Sequence, residues 1–181
     1  MKITNLNNQR MPHLYLDLDG VCADFFSAWA EIHGKTHYKD IGDKTEREQS
    51  ITEINNRGPQ FVEEFFATLP VLSGGQRIIG WIKKNRIPYT VLSAPLRGNE
   101  EASIRGKLTW LDQYNPGSSQ DAIFTGNKDQ HAVTSQPNVL VDDFGKYVDL
   151  WQDAGGIAVK HEDRNTDETL ARLEKVYAPY L

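Results

Sequence analysis

The apolar run His13-Leu-Tyr-Leu ends in two carboxylates, Asp17 and Asp19, two residues apart and followed by Gly20. Two close carboxylates repel by roughly 4 kcal/mol at an effective dielectric near 20 and a separation of about 4 Å, so the pair calls for a bound cation or a shared proton. Gly20 lets the backbone turn sharply and lets a ligand come close. A lone Asp-Gly is also an ordinary solvated Asx turn, and the rest of the chain decides between the two. Ser93 closes the run in Val91-Leu-Ser-Ala-Pro95, and Asp142 and Asp143 close Val139-Leu-Val-Asp-Asp143. Open parallel sheets bind ligands beyond the carboxyl ends of their strands, so these three termini are expected to converge at one edge. Four carboxylates there make a hard, oxygen-rich site that suits Mg²⁺ better than zinc. Ser93 offers a hydroxyl, and the backbone N–H groups after it can donate to a phosphate oxygen. Lys107, Lys128 and Arg97 all follow strand ends and supply the positive charge that a phosphoryl group needs.

The elements that must position these groups are legible in the hydropathy pattern. Four short apolar runs follow the first: 88–92, 121–125, 138–142 and 156–159. Helical spacing of apolar residues separates them, over 76–85, 99–114, 144–154 and 167–177. Such alternation predicts a parallel sheet covered on both faces. Asn115-Pro-Gly117 and Gly155-Gly156 mark helix ends.

One interval is too long for a simple crossover. About 65 residues lie between Gly20 and the strand near Pro88, where a dozen or more would suffice. Residues 21–34 are expected to form a helix, followed by a polar loop and helices near 45–57 and 58–69. The domain division is therefore 1–20 and 71–181 for the sheet domain, with 21–70 as a helical insert. The insert is rich in rings, namely Phe25, Phe26, Trp29, Phe61, Phe65 and Phe66. Most of these suffice as the insert's own core, while one or two, with Phe25 and Phe65 the candidates, could stack on a planar substrate group at the mouth of the sheet.

Composition narrows the partners. The chain has 181 residues and a formal net charge of -5, which speaks against a broad nucleic-acid-binding face. Met1 to Arg10 are polar and Asn-rich, and no apolar run approaches membrane-spanning length, so a soluble cytoplasmic protein with no membrane partner is expected. No motif speaks to oligomeric state. Cys22 is the single cysteine and reads as a small buried thiol.

Asp17-Leu-Asp19-Gly20-Val21, Ser93, a downstream lysine and Asp142-Asp143 resemble, in order and spacing, the four motifs of the haloacid dehalogenase (HAD) superfamily of phosphohydrolases. More narrowly, Asp19-Gly-Val-Cys-Ala-Asp24-Phe25, Phe65-Phe66-Ala-Thr-Leu-Pro70, Ser93-Ala-Pro95, Gly106-Lys107-Leu-Thr-Trp110, Thr125-Gly-Asn-Lys128 and Val141-Asp-Asp143 resemble the 5'(3')-deoxyribonucleotidase family. That family has threonine then serine before the proline, where this chain has Ser93-Ala94. The resemblance implies a Rossmann-like α/β fold with a small helical cap and a Mg²⁺-dependent phosphatase acting on nucleoside monophosphates. It implies Asp17 as nucleophile and Asp19 as proton carrier. Mg²⁺ would be held by the Asp17 carboxylate, the Asp19 carbonyl and Asp142, with Asp143 orienting the site. Ser93 and the Ala94 N–H would grip the phosphate, Lys107, as the third motif, would offset the charge of nucleophile and phosphate, and Lys128 and Arg97 would be supporting cations.

Two other readings share these residues: a phosphatase for another small phosphomonoester such as a sugar phosphate, and a receiver-like phosphoacceptor module. The receiver has its acceptor Asp after a middle strand, where this chain has Thr125. Gly75-Gln-Arg-Ile-Ile-Gly80 lacks the Lys and hydroxyl residue of a phosphate loop, and Gly34 separates His33 from His37 as a metal pair.

Overall fold

The computed structural model describes residues 10–181. The polar stretch read at the N-terminus lies outside these residues but for Arg10. Five strands of the described residues form one parallel sheet in the order β3-β2-β1-β4-β5: β1 (Leu14–Leu16), β2 (Tyr89–Ser93), β3 (Ile123–Phe124), β4 (Val139–Asp142) and β5 (Ile157–Lys160). The apolar runs read from the sequence are these strands. β1 pairs with β2 on one side and β4 on the other, and its three residues are buried. Burial on both faces is why it is apolar throughout rather than alternating. The chain builds outward from β1 to β3 on one side, then returns to β4 and β5 on the other. This reversal beside β1 creates the crevice in which open α/β sheets bind ligands.

Among the described residues, seven helices accompany the sheet: α1 (Phe25–Ile32), α2 (Lys44–Asn56), α3 (Pro59–Ala67), α4 (Ser73–Lys84), α5 (Glu100–Tyr114), α6 (Gly145–Asp153) and α7 (Thr166–Tyr177). The first begins later than its apolar pattern suggests. Residues 18–23 instead form a tight turn in which the Leu18 carbonyl accepts from the amides of Val21, Cys22 and Ala23. Asp24 then caps α1, its Oδ1 accepting from the Ser27 amide at 3.0 Å. The polar loop that follows contains a single 3-10 turn, Tyr38–Ile41, and α2 opens with a reciprocal Asp43–Glu46 capping box.

The insert enters and leaves through paired backbone. Ala23 bridges Val71 antiparallel, the Asp24 amide donates to the Pro70 carbonyl at 2.8 Å, and the Leu72 amide donates to the Cys22 carbonyl at 2.8 Å. The last helix of residues 21–70 packs against α5. α3 lies so close to α5 that a Cβ at Gly106 would sit 2.3 Å from the Glu63 carbonyl oxygen and 2.8 Å from Phe66 Cβ. The Trp110 indole, fully buried, donates to the Leu69 carbonyl at 2.8 Å. Among the described residues, no helix is long and apolar enough to cross a membrane.

Candidate active site

The sheet ladder extends one residue past β1, with the Asp17 amide donating to the Val141 carbonyl at 2.9 Å. The backbone of the first acidic residue is thus fixed between two strands. Gly20 then adopts a φ of +77°, which favours glycine, and its amide closes back on the Ala23 carbonyl at 2.8 Å. The turn holds Asp17 and Asp19 over the crevice between β1, β2 and β4. Ser93 and Asp142 end the two neighbouring strands, so the three termini read from the sequence do meet at one edge.

Two buried lysines divide the acids between them. Lys128 Nζ stands 2.6 Å from Asp142 Oδ2 and 2.8 Å from Asp17 Oδ1, the latter out of line for a hydrogen bond. Lys107 Nζ donates to Asp19 Oδ2 at 2.7 Å, to Ser93 Oγ at 2.9 Å and to the Ala94 carbonyl at 2.6 Å. The lysine against Asp17 is therefore Lys128, not the expected Lys107. Lys128 opens the 3-10 turn Lys128–His131 between β3 and β4, whereas Lys107 lies on α5 beside the end of β2. Chain spacing alone does not distinguish these placements. Burial alone would lower the Lys128 pKa, but Asp17 and Asp142 outweigh it and hold the ammonium above its usual range.

Asp17, Asp142 and Asp143 each bring one carboxylate oxygen within 4.8 Å of the others, the one such group among the described residues. The Asp19 side chain is not in it, being turned to Lys107. Asp142 Oδ1 accepts from the Phe144 amide at 2.8 Å. Three carboxylates face one ammonium here, since the Asp19–Lys107 pair balances itself, and the excess shows in the proton affinities. Burial first, then Asp17, Asp142 and Asp19, pushes Asp143 up to about 8. Burial and Asp17 raise Asp142 against the pull of Lys128. Burial raises Asp19 as well, reinforced by Asp17 and opposed by Lys107. Two uncompensated negative charges on hard oxygen donors fit a divalent cation such as Mg²⁺. Cys22, buried under Asp17 with its thiol pushed up by burial and by Asp17 and Asp19, is inert beside them.

A cleft of about 620 Å³ opens from Gly20 and Asp143. Phe26, His37 and Tyr38 line it together with Lys160 at the end of β5 and His161 and Arg164 just after that strand. The Phe26 and Tyr38 rings lie 4.7 Å apart and the His37 and Tyr38 rings 4.8 Å apart. Neither ring expected to face the site lines this cleft. Phe25 lies 5.7 Å from Trp29 and 5.9 Å from Phe65, inside the insert's aromatic cluster, and Phe65 is buried. Residues 25 and 29 share a helix face, while residue 26 is turned about 100° away from 25, which is why the neighbouring ring reaches the cleft. Tyr38, in the polar loop, carries no periodic signal that singles it out. Arg97 is exposed, and among the described residues its guanidinium makes no ion pair. His33 pairs instead with Glu53 at 3.5 Å, and His161 with Thr169 at 2.9 Å.

A family model described as 5' nucleotidase, deoxy (pyrimidine), cytosolic type C protein matches residues 10–173. No curated protein matches the chain. Among solved structures, a HAD family hydrolase from Deinococcus radiodurans R1 with bound phosphate and sodium is 11% identical, covers 92% of this chain and 96% of its own, and superposes with a TM-score of 0.54. A hydrolase from Streptococcus pneumoniae TIGR4 is 13% identical, covers 94% of this chain and 100% of its own, with a TM-score of 0.52. At these identities the likeness is one of fold.

Proposed function

The chain belongs to the 5' nucleotidase, deoxy (pyrimidine), cytosolic type C protein family of phosphoric monoester hydrolases, and on that premise we propose that it is a Mg²⁺-dependent phosphatase of nucleoside monophosphates. The observation that carries this reading is Asp17, whose amide is locked into the central ladder while its carboxylate lies between Lys128 and the acidic group of Asp142 and Asp143. An Asp17 oxygen attacks phosphorus, the bond from phosphorus to the ester oxygen breaks, and the Asp19 proton passes to that oxygen as the alcohol leaves. Asp19 then takes a proton from water, whose oxygen attacks the aspartyl-phosphate, so that inorganic phosphate departs and Asp17 is restored. The raised proton affinity of Asp19 suits it to carry that proton.

Asp17, Asp142 and the Asp19 carbonyl would hold the metal, with Asp143 beside them, and Mg²⁺ when bound would neutralise charge on the phosphate oxygens. Lys128 offsets the charge of the nucleophile. Ser93 and the Ala94 N–H grip the phosphate. Residues 21–70 act as the cap, and the Phe26–Tyr38 pair at the wall of a nucleoside-sized cleft favours a leaving group with a flat ring. Phosphate release from a panel of nucleoside, deoxynucleoside and sugar phosphates, with and without Mg²⁺, tests the reading. The expected outcome is metal-dependent turnover that is faster on nucleoside monophosphates and falls by roughly 10³-fold or more in Asp17→Asn. Retained activity in that variant overturns the nucleophile, equal rates on the sugar phosphates overturn the substrate class, and a stable phosphoprotein without turnover favours the receiver reading.

A further inference from the structure

Lys107 is fully buried, and its ammonium is committed inside the protein. An ammonium has three hydrogens, and all three point at acceptors: Asp19 Oδ2 at 2.7 Å, Ser93 Oγ at 2.9 Å and the Ala94 carbonyl at 2.6 Å. None is left for a phosphate oxygen, and the ion pair to Asp17 is supplied by Lys128. The same ammonium lies 4.9 Å from the centre of the Phe66 ring on α3. Two constraints thus fix it, the ring from the insert and the close α3–α5 contact at its neighbour Gly106.

We propose that Lys107 is a positioning residue for the proton carrier. It holds the Asp19 carboxyl in place, and because it donates to Ser93 Oγ it leaves that hydroxyl's own hydrogen free to point at the phosphate. This assignment rests on the reading of Asp19 given above. Its consequence is a dependence on the leaving group. An alkoxide, such as that of a nucleoside 5'-oxygen, needs a proton as it departs. The phenolate of p-nitrophenyl phosphate does not.

The test compares kcat/KM on a nucleoside monophosphate and on p-nitrophenyl phosphate, because this ratio reports the steps up to formation of the phosphoenzyme. Lys107→Met should lower it by about 10²-fold on the nucleotide, the range of one acid catalyst, and by less than about 10-fold on the aryl ester. Lys107→Gln, which keeps a donor and serves also if the methionine variant does not fold, should recover part of the nucleotide activity. In an Asp19→Asn background, Lys107→Met should cost the nucleotide reaction little more. Equal losses on the two esters, or full additivity with Asp19→Asn, would overturn the assignment in favour of a general electrostatic or structural role. A wild-type chain inert toward both esters would instead sink the phosphatase reading and this assignment with it.

Discussion

Asp143 displays what it means to bury three carboxylates around one ammonium. Its proton affinity lies far above that of a solvated carboxyl because burial and three neighbouring acids all disfavour its charge. Asp142 is displaced in the same direction. A carboxyl whose pKa rises on folding binds its proton more tightly in the native state, so it contributes stability at low pH that is lost as pH rises through the native value. In a chelator, denaturant titrations should therefore show the protein weakening between about pH 4, the ordinary carboxyl range, and pH 8, where Asp143 titrates in the fold. Millimolar Mg²⁺ should flatten that decline, because a ligand bound only by the folded state stabilises it. A stability that rises steadily over the same range in chelator would contradict the charge imbalance. Single residues also mark the limit of sequence reading. Asp17, Asp19, Ser93 and Asp142 were legible because strand ends gather at one edge of a parallel sheet, whatever the order of its strands. The partners of Lys107 and Lys128 were not, because both lysines follow strand ends and only the path of the chain between β3 and β4 brings Lys128 across to Asp17.

At the scale of elements, the contact of α3 with α5 joins the helices between β1 and β2 to those that cover the sheet. A methyl at position 106 has no room, with the Glu63 carbonyl oxygen 2.3 Å and Phe66 Cβ 2.8 Å from where it would stand. Gly106→Ala should therefore force α3 away, lower stability by about 1–3 kcal/mol in chemical denaturation, and withdraw Phe66 from Lys107. Gly80, on the exposed face of α4 with nothing within 4 Å of a Cβ, is the matched control, where alanine should add about 0.5–1 kcal/mol. If both substitutions behave alike, the close packing at Gly106 is not what holds the helices together. The helices themselves were readable from apolar spacing, to within a few residues for α4 to α7. The start of α1 was not, because backbone carbonyls and amides over 18–23 satisfy one another in a turn that no side-chain pattern reports. The cleft wall was hidden for a related reason: an aromatic-rich helix shows that rings exist, and one step of about 100° around its axis decides which ring meets the ligand.

Over the whole molecule, the order β3-β2-β1-β4-β5 sets the shortest strands apart by position. β3, with two residues, stands at an edge, and β1, with three, stands at the centre with a neighbour on each side. The proposed nucleophile follows that central strand, and its amide belongs to the ladder. Local opening frees edges and loops first, while central strands exchange their amide hydrogens only when the fold comes apart. Hydrogen exchange should accordingly find the amides from Tyr15 to Asp17 among the slowest in the chain and those of 36–41, along the cleft wall, among the fastest. The acids that would break the ester are thus built into the last part of the molecule to melt, and the surface that would choose the ester into a part free to vary without it.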